Sequence, residues 1–188
     1  RMGMRRDAIA FDVNAACCGF LVALRVAQGQ LALLGHDSKA LVVGSELMSH
    51  VTDFTDRTTC VLFGDGAGAA VVTVTDEDSW FTAGMAGGSE NIVSNPCYGD
   101  QGMGSNMNGR AVFRFACGSI VKTINTLLDR AGLTLDDVDH VVCHQANARI
   151  IRHVMKDLKA PDEKFFMNIE TMGNTSAASI PLALEEMC

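Results

Sequence analysis

Residues 40–46, ALVVGSE, form a short and almost continuous apolar run. A strand with one face in water alternates between polar and apolar residues, whereas a continuous run predicts a strand buried on both faces. Before it, apolar residues recur at helical spacing over 20–34, and Gly35 ends this segment as a C-cap. A β-prone segment, 8–13, comes first. This order of strand, helix and strand predicts an α/β fold with a buried, partly parallel sheet.

The rest of the chain continues the mixture of strands and helices. Residues 60–74 predict two strand segments around the glycine-rich turn GDGAG. Because GDGAG leads into a strand and not into a helix, it predicts a close approach of backbones and excludes a phosphate-binding loop. Residues 84–109 are rich in glycine and lack periodicity, which predicts a long connecting loop. The later elements are predicted in the order helix, strand, helix, strand and helix, at 112–130, 139–143, 150–158, 164–170 and 176–187.

Charge and cysteine content exclude several classes of protein. The net charge of −7 argues against nucleic-acid binding, which needs a basic surface. We expect no signal peptide, because Asp12 and Asn14 interrupt the first apolar segment, and no apolar run as long as a membrane span. The seven cysteines are irregularly spaced and include no CxxC pair. This pattern predicts reduced thiols in a cytoplasmic protein, with neither a disulfide framework nor a metal site.

Two adjacent cysteines, Cys17 and Cys18, follow the first predicted strand and begin the first predicted helix. A thiol in the first turn of a helix faces the positive end of the helix dipole, which lowers its pKa and favours the nucleophilic thiolate. Only one of two adjacent side chains can point into a site, and free cysteines are also common as small core residues. Position alone therefore leaves both interpretations open.

Two further polar residues have comparable settings. His144 follows a short apolar strand, and its neighbours Gln145 and Asn147 make the setting polar for a plain core histidine. The orders strand–NAAC–helix and strand–HQAN–helix are similar and give a weak indication of an internal duplication. Each order places a reactive side chain at the carboxyl end of a strand, where the active sites of α/β folds lie. Asn174 in MGNTSAAS is either a site residue or an ordinary turn residue.

Five segments occur together in a fixed order: DVNAACCGFLVAL, TDRTTCVLFGDGAGAAV, MNGRAVFRFA, VCHQANARI and GNTSAASIPLAL. In order and approximate spacing they resemble the β-ketoacyl-acyl carrier protein synthases III, condensing enzymes of the thiolase fold that start fatty-acid synthesis. The resemblance implies a duplicated, layered α/β fold with central, mostly parallel sheets flanked by helices. It divides the chain into the latter part of an N-terminal half (1–75), a connecting region (76–110) and most of a C-terminal half (111–188).

The same resemblance assigns roles to individual residues. Cys17 matches the nucleophile that carries the acyl group, with Cys18 as packing, and His144 and Asn174 match the pair that handles the malonyl thioester. The residues expected to contact substrate are Arg57, Met107, Gly109, Phe113, Asn147 and Ser176. The expected docking residues for the carrier protein are Gln145, Arg149, Arg152 and Lys156.

The implied reaction is a decarboxylating condensation in a ping-pong sequence. An acyl-CoA acylates the cysteine, malonyl-acyl carrier protein loses carbon dioxide, and the resulting carbanion takes the acyl group to give 3-oxoacyl-acyl carrier protein. This chemistry implies no metal or other cofactor. The expected partners are acyl-CoA, acyl carrier protein and a second subunit in a cytoplasmic homodimer, with no nucleic acid and no membrane.

The family's N-terminal segment and C-terminal strands have no counterpart here, so we expect the isolated chain to be poorly stable or inactive. Two alternatives stay open: another thiolase-fold acyltransferase that forms a polyketide, an alkylquinolone or an ester, and an inactive truncated module. Papain-like proteases share the order Cys, His, Asn, but their signature C-G-[SA]-C-[WY] is absent.

One helix carries a charge opposite to that of the whole chain. Cations recur there at spacings of three and four, which places them on one helical face, at Arg149, Arg152, Lys156 and Lys159. Apolar residues between 150 and 158 hold the other face. Because acyl carrier proteins are acidic, this face predicts a docking surface, and a solvated charged face is the alternative.

Overall fold

The structure is a computed structural model that describes residues 4–75, 93–94, 106–107 and 109–188, with the backbone alone at 93–94 and 106–107. The helices are α1 (Gly19–Leu34), α2 (Gly109–Ala131), α3 (Ala148–Leu158), α4 (Ile169–Met172) and α5 (Ser179–Met187). The strands are β1 (Lys39–Glu46), β2 (Gly66–Thr73), β3 (Val93–Ser94) and β4 (Asn106–Met107). Most of the predicted connecting region, 76–110, lies outside the described residues.

Five short 3₁₀ turns join these elements: Ala16–Cys18, Met48–His50, Leu135–Asp137, Asp162–Lys164 and Ser176–Ala178. We call Ala16–Cys18 the Cys17 turn and Ser176–Ala178 the Ser176 turn. Each of these two turns leads directly into a helix, the first into α1 and the second into α5.

The mixture of helices and strands confirms the α/β class, but the pairing direction differs from the prediction. β1 and β2 pair antiparallel, from Lys39 opposite Thr73 to Glu46 opposite Gly66, and β3 and β4 also pair antiparallel. Among the described residues, parallel pairing is limited to single bridges, Phe63 with Asn174 and Val141 with Phe165. The one long strand pair of the described residues is therefore antiparallel, a direction that the apolar run could not indicate because such a run reports burial alone.

Burial of β1 also differs from the prediction. Its residues alternate, so that Val42 is buried whereas Leu41 and Val43 are 37% and 51% exposed within the described chain. The predicted first strand, 8–13, is not a strand, and Phe11 in it is exposed. Segments 139–143 and 164–170 pair through one bridge only. A strand needs a partner along its length, and these segments have none among the described residues.

Two apolar clusters form the core. The first joins α2 and α3 to Phe165, and its buried members are Cys117, Ile124, Ile150, Ile151, Val154, Met155 and Phe165. The second joins α1, β1, β2 and α5, and its buried members are Phe20, Ala27, Val42 and Ile180. The predicted amphipathic character of α3 is confirmed, because its apolar face lies in the first cluster and its cations are exposed.

Glycines let α5 and the Ser176 turn lie directly on the sheet formed by β1 and β2. A Cβ atom on Gly44 would lie 2.8 Å from the carbonyl oxygen of Ala177, and one on Gly68 would lie 2.8 Å from Cβ of Pro181. In the GDGAG segment, a Cβ on Gly64 would be 2.2 Å from the carbonyl oxygen of Met172. The close backbone approach predicted for GDGAG is confirmed at Gly64, and Gly44 adds a contact that was not predicted.

Two segments have the length and apolar composition of a membrane span: Ala16–Leu34, with a mean hydropathy of 1.6, and α2, with 1.2. The expectation that no apolar segment is as long as a membrane span therefore does not hold. Core helices of globular proteins pass the same test, and α1 places Phe20, Ala27 and Leu31 in the core. The expected absence of a membrane partner stays a prediction.

Candidate active site

The Cys17 turn places two half-buried thiols at the start of α1. Ala16, which begins the turn, has φ +45°. Burial raises the pKa of the Cys17 thiol, and a hydrogen bond from the Ser176 side chain acts in the opposite direction. Burial also raises the pKa of Cys18, which has no such partner. The helix-dipole expectation of a lowered pKa is therefore wrong for Cys17, because the loss of hydration outweighs the stabilising contacts.

The Ser176 turn orients the amide of Asn174. The Asn174 backbone is held on both sides, since its N–H donates to Leu62 O at 2.8 Å and its carbonyl accepts from Gly64 N at 3.0 Å. Its side-chain Oδ1 accepts from the backbone N–H of Ser176 at 2.9 Å. Because Oδ1 is occupied, Nδ2 is the end of this amide that is left to donate to a substrate.

His144 lies at the end of the segment after Val142, which packs against the second core cluster. Burial lowers the pKa of His144 to about 4, so the imidazole is neutral at neutral pH. Its Nδ1 is buried without a hydrogen-bond partner among the described residues, which leaves Nε2 as the ring nitrogen that can reach a ligand. The preceding thiol, Cys143, has a pKa raised to about 12 by burial and is therefore a poor nucleophile.

The structure brings part of the predicted site together directly. The two turns pack closely, since a Cβ on Gly19 would lie 3.2 Å from Cβ of Ala177. The Cys17 turn, the Ser176 turn and Asn174 thus lie side by side, and we call Cys17, Ser176 and Asn174 the Cys17 cluster. Within the described part of the chain, His144 makes no hydrogen bond to Cys17 or Asn174. The nearby residue Val142 packs against the second core cluster, to which α1 also belongs.

Gln145 is not a docking residue, and this prediction is wrong. Its side chain is fully buried, at 0% exposure. Nε2 donates to the carbonyl oxygens of Cys143 and Phe166 at 3.0 and 3.3 Å, and Oε1 accepts from the N–H of Asn168 at 3.3 Å. With all its hydrogen bonds made inside the protein, this side chain joins the HQAN segment to 166–168 and has no surface to offer a partner.

The predicted cationic surface consists of Arg149, Arg152, Lys156 and Lys159, and all four side chains are exposed. Arg152 already forms an ion pair with Glu170, with 3.1 Å between Nη2 and Oε1. Asn147 begins α3 as its N-cap, because its Oδ1 accepts from the N–H of Arg149 at 2.9 Å. Sequence reasoning had assigned Asn147 to substrate and missed this capping role.

The other predicted substrate residues belong to other elements of the fold. Arg57 is exposed in the loop between β1 and β2, next to Asp56, which accepts hydrogen bonds from Thr58 and Thr59. Phe113 packs on the first core cluster, with its ring centroid 5.8 Å from that of His153. Gly109 begins α2 and is exposed, and Met107 lies in β4, where the side chain is outside the described residues.

Ser176 has a different place from the predicted one. The resemblance gave it as a substrate contact, whereas the residue is only 7% exposed and its backbone N–H donates to Asn174 Oδ1. The similarity of the two turns could have been predicted from the sequence, because AACC and SAAS are both runs of small residues just before a helix. The Ser176 turn, and not the HQAN segment, is thus the structural counterpart of the Cys17 turn.

Comparison with known proteins gives one consistent result. Residues 11–90 match the family described as 3-oxoacyl-[acyl-carrier-protein (ACP)] synthase III, and residues 128–188 match the C-terminal region of the same enzymes. The β-ketoacyl-[acyl-carrier-protein] synthase III of Acholeplasma laidlawii is 45% identical over 184 residues, covering 96% of this chain and 57% of the relative. That of Clostridium acetobutylicum is 43% identical, covering 97% of this chain and 59% of the relative.

Solved structures agree with the sequence matches. The crystal structure of 3-oxoacyl-[acyl-carrier-protein] synthase III from Aquifex aeolicus superposes with a TM-score of 0.86 at 42% identity, covering 96% of this chain and 58% of that one. The priming β-ketosynthase of the R1128 polyketide pathway gives 0.86 at 36% identity, covering 97% and 57%. The chain therefore spans less than two thirds of the relatives it matches, and over that span its motifs, its fold and both matched regions agree. The chain belongs to the 3-oxoacyl-[acyl-carrier-protein] synthase III family.

Proposed function

We propose that this chain contributes the reacting centre of a decarboxylating condensation, in which an acyl-CoA and malonyl-acyl carrier protein give 3-oxoacyl-acyl carrier protein and initiate fatty-acid synthesis. The observation that carries the proposal is the cluster of Cys17, Ser176 and Asn174. It places a thiol and an oriented amide donor at two packed turns that each lead into a helix.

In the first half-reaction, the Cys17 thiolate attacks the carbonyl carbon of the acyl-CoA thioester. The bond between that carbon and the coenzyme A sulfur breaks, and the acyl group stays on Cys17. The negative charge that develops on the carbonyl oxygen needs donors that are already in place, and backbone N–H groups at the start of a helix are suited to this. Cys18 acts as packing beside the nucleophile.

In the second half-reaction, the malonyl group loses carbon dioxide and leaves an enolate. Asn174 Nδ2 and the Nε2–H of a neutral His144 both donate to the thioester oxygen that becomes the enolate oxygen. The enolate carbon then attacks the acyl carbon on Cys17, the bond to Sγ breaks, and the thiolate is restored. A neutral His144 fits this role, because a donor to a developing anion needs an N–H and not a permanent charge.

The remaining assignments belong to the same proposal. Arg57, Met107, Gly109, Phe113 and Asn147 contact acyl-CoA or the pantetheine arm, and Arg149, Arg152 and Lys156 dock the carrier protein. The chain consists of the latter part of one half (1–75), a connecting region (76–110) and most of a second half (111–188). It works as a homodimer in the cytoplasm, and the free cysteines of the described residues support the reducing compartment. No metal or other cofactor takes part.

The test is acylation followed by intact-mass analysis. The protein is incubated with acetyl-CoA and with longer acyl-CoAs, and the mass added to each variant is measured. Cys17→Ala is expected to abolish the added mass, whereas the matched control Cys18→Ala retains it, because Cys17 carries the acyl group and Cys18 is packing. Labelling that survives Cys17→Ala and disappears with Cys18→Ala would refute the assignment.

A second candidate is the priming of a polyketide pathway. It is favoured by the R1128 priming ketosynthase, which superposes as closely as the fatty-acid enzyme from Aquifex aeolicus. Product analysis with carrier proteins of the two kinds of pathway discriminates between the candidates, since the condensation chemistry at Cys17 is the same in both.

A further inference from the structure

The two donors proposed for the enolate, His144 and Asn174, lie in separate segments of the chain. Among the described residues, no hydrogen bond joins one of these side chains to the other. Two donors act on one oxygen only when their separation is fixed, and a misplacement of about 1 Å costs up to about a hundred-fold in rate. Contacts elsewhere in the fold therefore have to set this separation.

The buried side chain of Gln145 bridges the two segments. It is 0% exposed, and its Nε2 donates to the carbonyl oxygens of Cys143 at 3.0 Å and Phe166 at 3.3 Å. Its Oε1 accepts from the backbone N–H of Asn168 at 3.3 Å. Because these partners are two acceptors and one donor, only one orientation of the amide satisfies all three. One side chain thus holds 143–145 against 166–168.

On one side of the bridge, the backbone that carries His144 is held before and after the imidazole. The carbonyl of Cys143, directly before His144, accepts from Gln145, and the carbonyl of His144 itself accepts from the N–H of Ala146 at 3.0 Å. The buried ring nitrogen Nδ1 restricts the ring further, since rotation would move it through packed atoms. The direction of Nε2 is therefore set by the backbone that Gln145 fixes.

On the other side, a short and fully hydrogen-bonded connection leads from Asn168 to Asn174. The carbonyl of Asn168 accepts from the N–H of Thr171 at 3.1 Å and from its Oγ1 at 2.9 Å. At the end of α4, the N–H of Gly173 donates to the carbonyl of Ile169 at 2.9 Å, and Asn174 follows directly. A shift of Asn168 is therefore passed on to Asn174 through one helical turn.

We propose that Gln145 is a positioning residue, whose buried amide sets the separation between Nε2 of His144 and Nδ2 of Asn174. The catalytic consequence rests on the proposed function, whereas the bridge itself does not. The proposal differs from a docking role in what it predicts. A docking residue changes the KM for malonyl-carrier protein, and a residue that spaces two donors changes kcat for the loss of carbon dioxide.

Two variants of Gln145 remove different parts of the bridge. Gln145→Met has a similar length and loses all three hydrogen bonds, whereas Gln145→Glu keeps the acceptor for Asn168 and loses the donor to the two carbonyls. In both, kcat for decarboxylation of malonyl-carrier protein is expected to fall by about ten- to a hundred-fold with KM unchanged. The rate of Cys17 acylation by acyl-CoA is expected to stay the same, because that step uses neither donor.

The matched control is Ile124→Ala. Ile124 is buried in the first core cluster, against which Ala146 and Met167 also pack, so this change loosens the same region without touching the bridge. It is expected to lower stability and to leave kcat of the folded protein unchanged. Hydrogen exchange at the N–H of Asn168, followed by mass spectrometry of peptides within 166–172, needs no substrate. It is expected to become faster in Gln145→Met than in Ile124→Ala, since only the former removes the acceptor.

The proposal is overturned if both Gln145 variants decarboxylate malonyl-carrier protein at the parent rate, or if KM rises while kcat stays the same. It is also overturned if acylation and decarboxylation fall equally, or if Ile124→Ala lowers kcat as much as Gln145→Met. If exchange at Asn168 becomes faster as expected but the parent protein neither takes up an acyl group nor releases carbon dioxide, the bridge stands and the proposed function fails.

Discussion

Replacement of Gly44 by alanine tests the packing that holds the site together. The new Cβ would lie 2.8 Å from the carbonyl oxygen of Ala177, 3.0 Å from its carbonyl carbon and 3.2 Å from Cα of Ala178. All three are backbone atoms, so no side-chain rotation relieves the contact. The Ser176 turn has to move away from β1, and it takes the hydroxyl of Ser176 and the amide of Asn174 away from Cys17.

The expected magnitude follows from two opposing terms. Forcing one extra carbon into a packed core typically costs about 1–3 kcal/mol. Alanine restricts the unfolded chain more than glycine does, which returns about 0.5–1 kcal/mol where the native backbone suits it. From the midpoints of the two ranges, we expect Gly44→Ala to lower the free energy of unfolding by about 1 kcal/mol and to reduce acylation of Cys17.

The matched control is Gly29→Ala, in the exposed part of α1. A Cβ there meets nothing within 4 Å, so only the backbone term remains. It is expected to raise the free energy of unfolding by about 0.5–1 kcal/mol. Urea unfolding followed by circular dichroism, with acyl labelling of the same samples, measures both effects. If the two variants change stability in the same direction, or if Gly44→Ala is neutral, the packing argument is incorrect.

Three further predictions concern side chains of the site. In the folded protein the pKa of His144 is about 4, so the unfolded chain takes up a proton first as the pH falls below about 6.5. The free energy of unfolding should therefore drop by up to about 3 kcal/mol between pH 6.5 and pH 4. Urea midpoints across this range should fall less in His144→Gln than in the parent protein, and an equal fall would contradict the assignment. Gln145→Leu should cost at least about 2 kcal/mol in urea unfolding by stranding buried partners, while the KM for malonyl-carrier protein stays unchanged. Charge reversal of Arg149 should raise the KM for malonyl-carrier protein far more than the KM for acyl-CoA, and should make the former less sensitive to salt. Charge reversal of Arg152 should have a smaller effect, because Arg152 already pairs with Glu170. Equal effects on both substrates would make α3 an ordinary charged surface.

Features set by local pattern were predictable from the sequence. The apolar face of α3 follows from the 3.6-residue period, and the close contact at Gly68 follows from glycines that lead into a strand. The motif that contains Cys17 placed it correctly at the start of a helix. In each case the information lies within a few neighbouring residues, or in a motif that fixes both position and chemistry.

Features set by distant contacts were not predictable in the same way. The direction of β2 depends on the path of the chain after β1 and leaves no mark on side-chain periodicity. Gln145 looked like a surface residue of a polar motif, yet its partners lie near 166–168, more than a helix length away in sequence. The pKa of Cys17 depends on how much water the second turn excludes, and no property of the first turn reports that.

The Cys17 turn and the Ser176 turn pack against each other although they lie about 160 positions apart in the sequence, and this separation governs when the reacting centre forms during folding. The entropy of closing so long a loop must be overcome before the contact gains anything, so the pair forms late, after the local helices. Until then Cys17 is an ordinary solvated thiol. The Ser176 turn, which packs against the Cys17 turn, docks only when α5 reaches the sheet. Because burial raises the pKa of Cys17 in the folded protein, the fall in its reactivity after dilution from urea measures this final docking step.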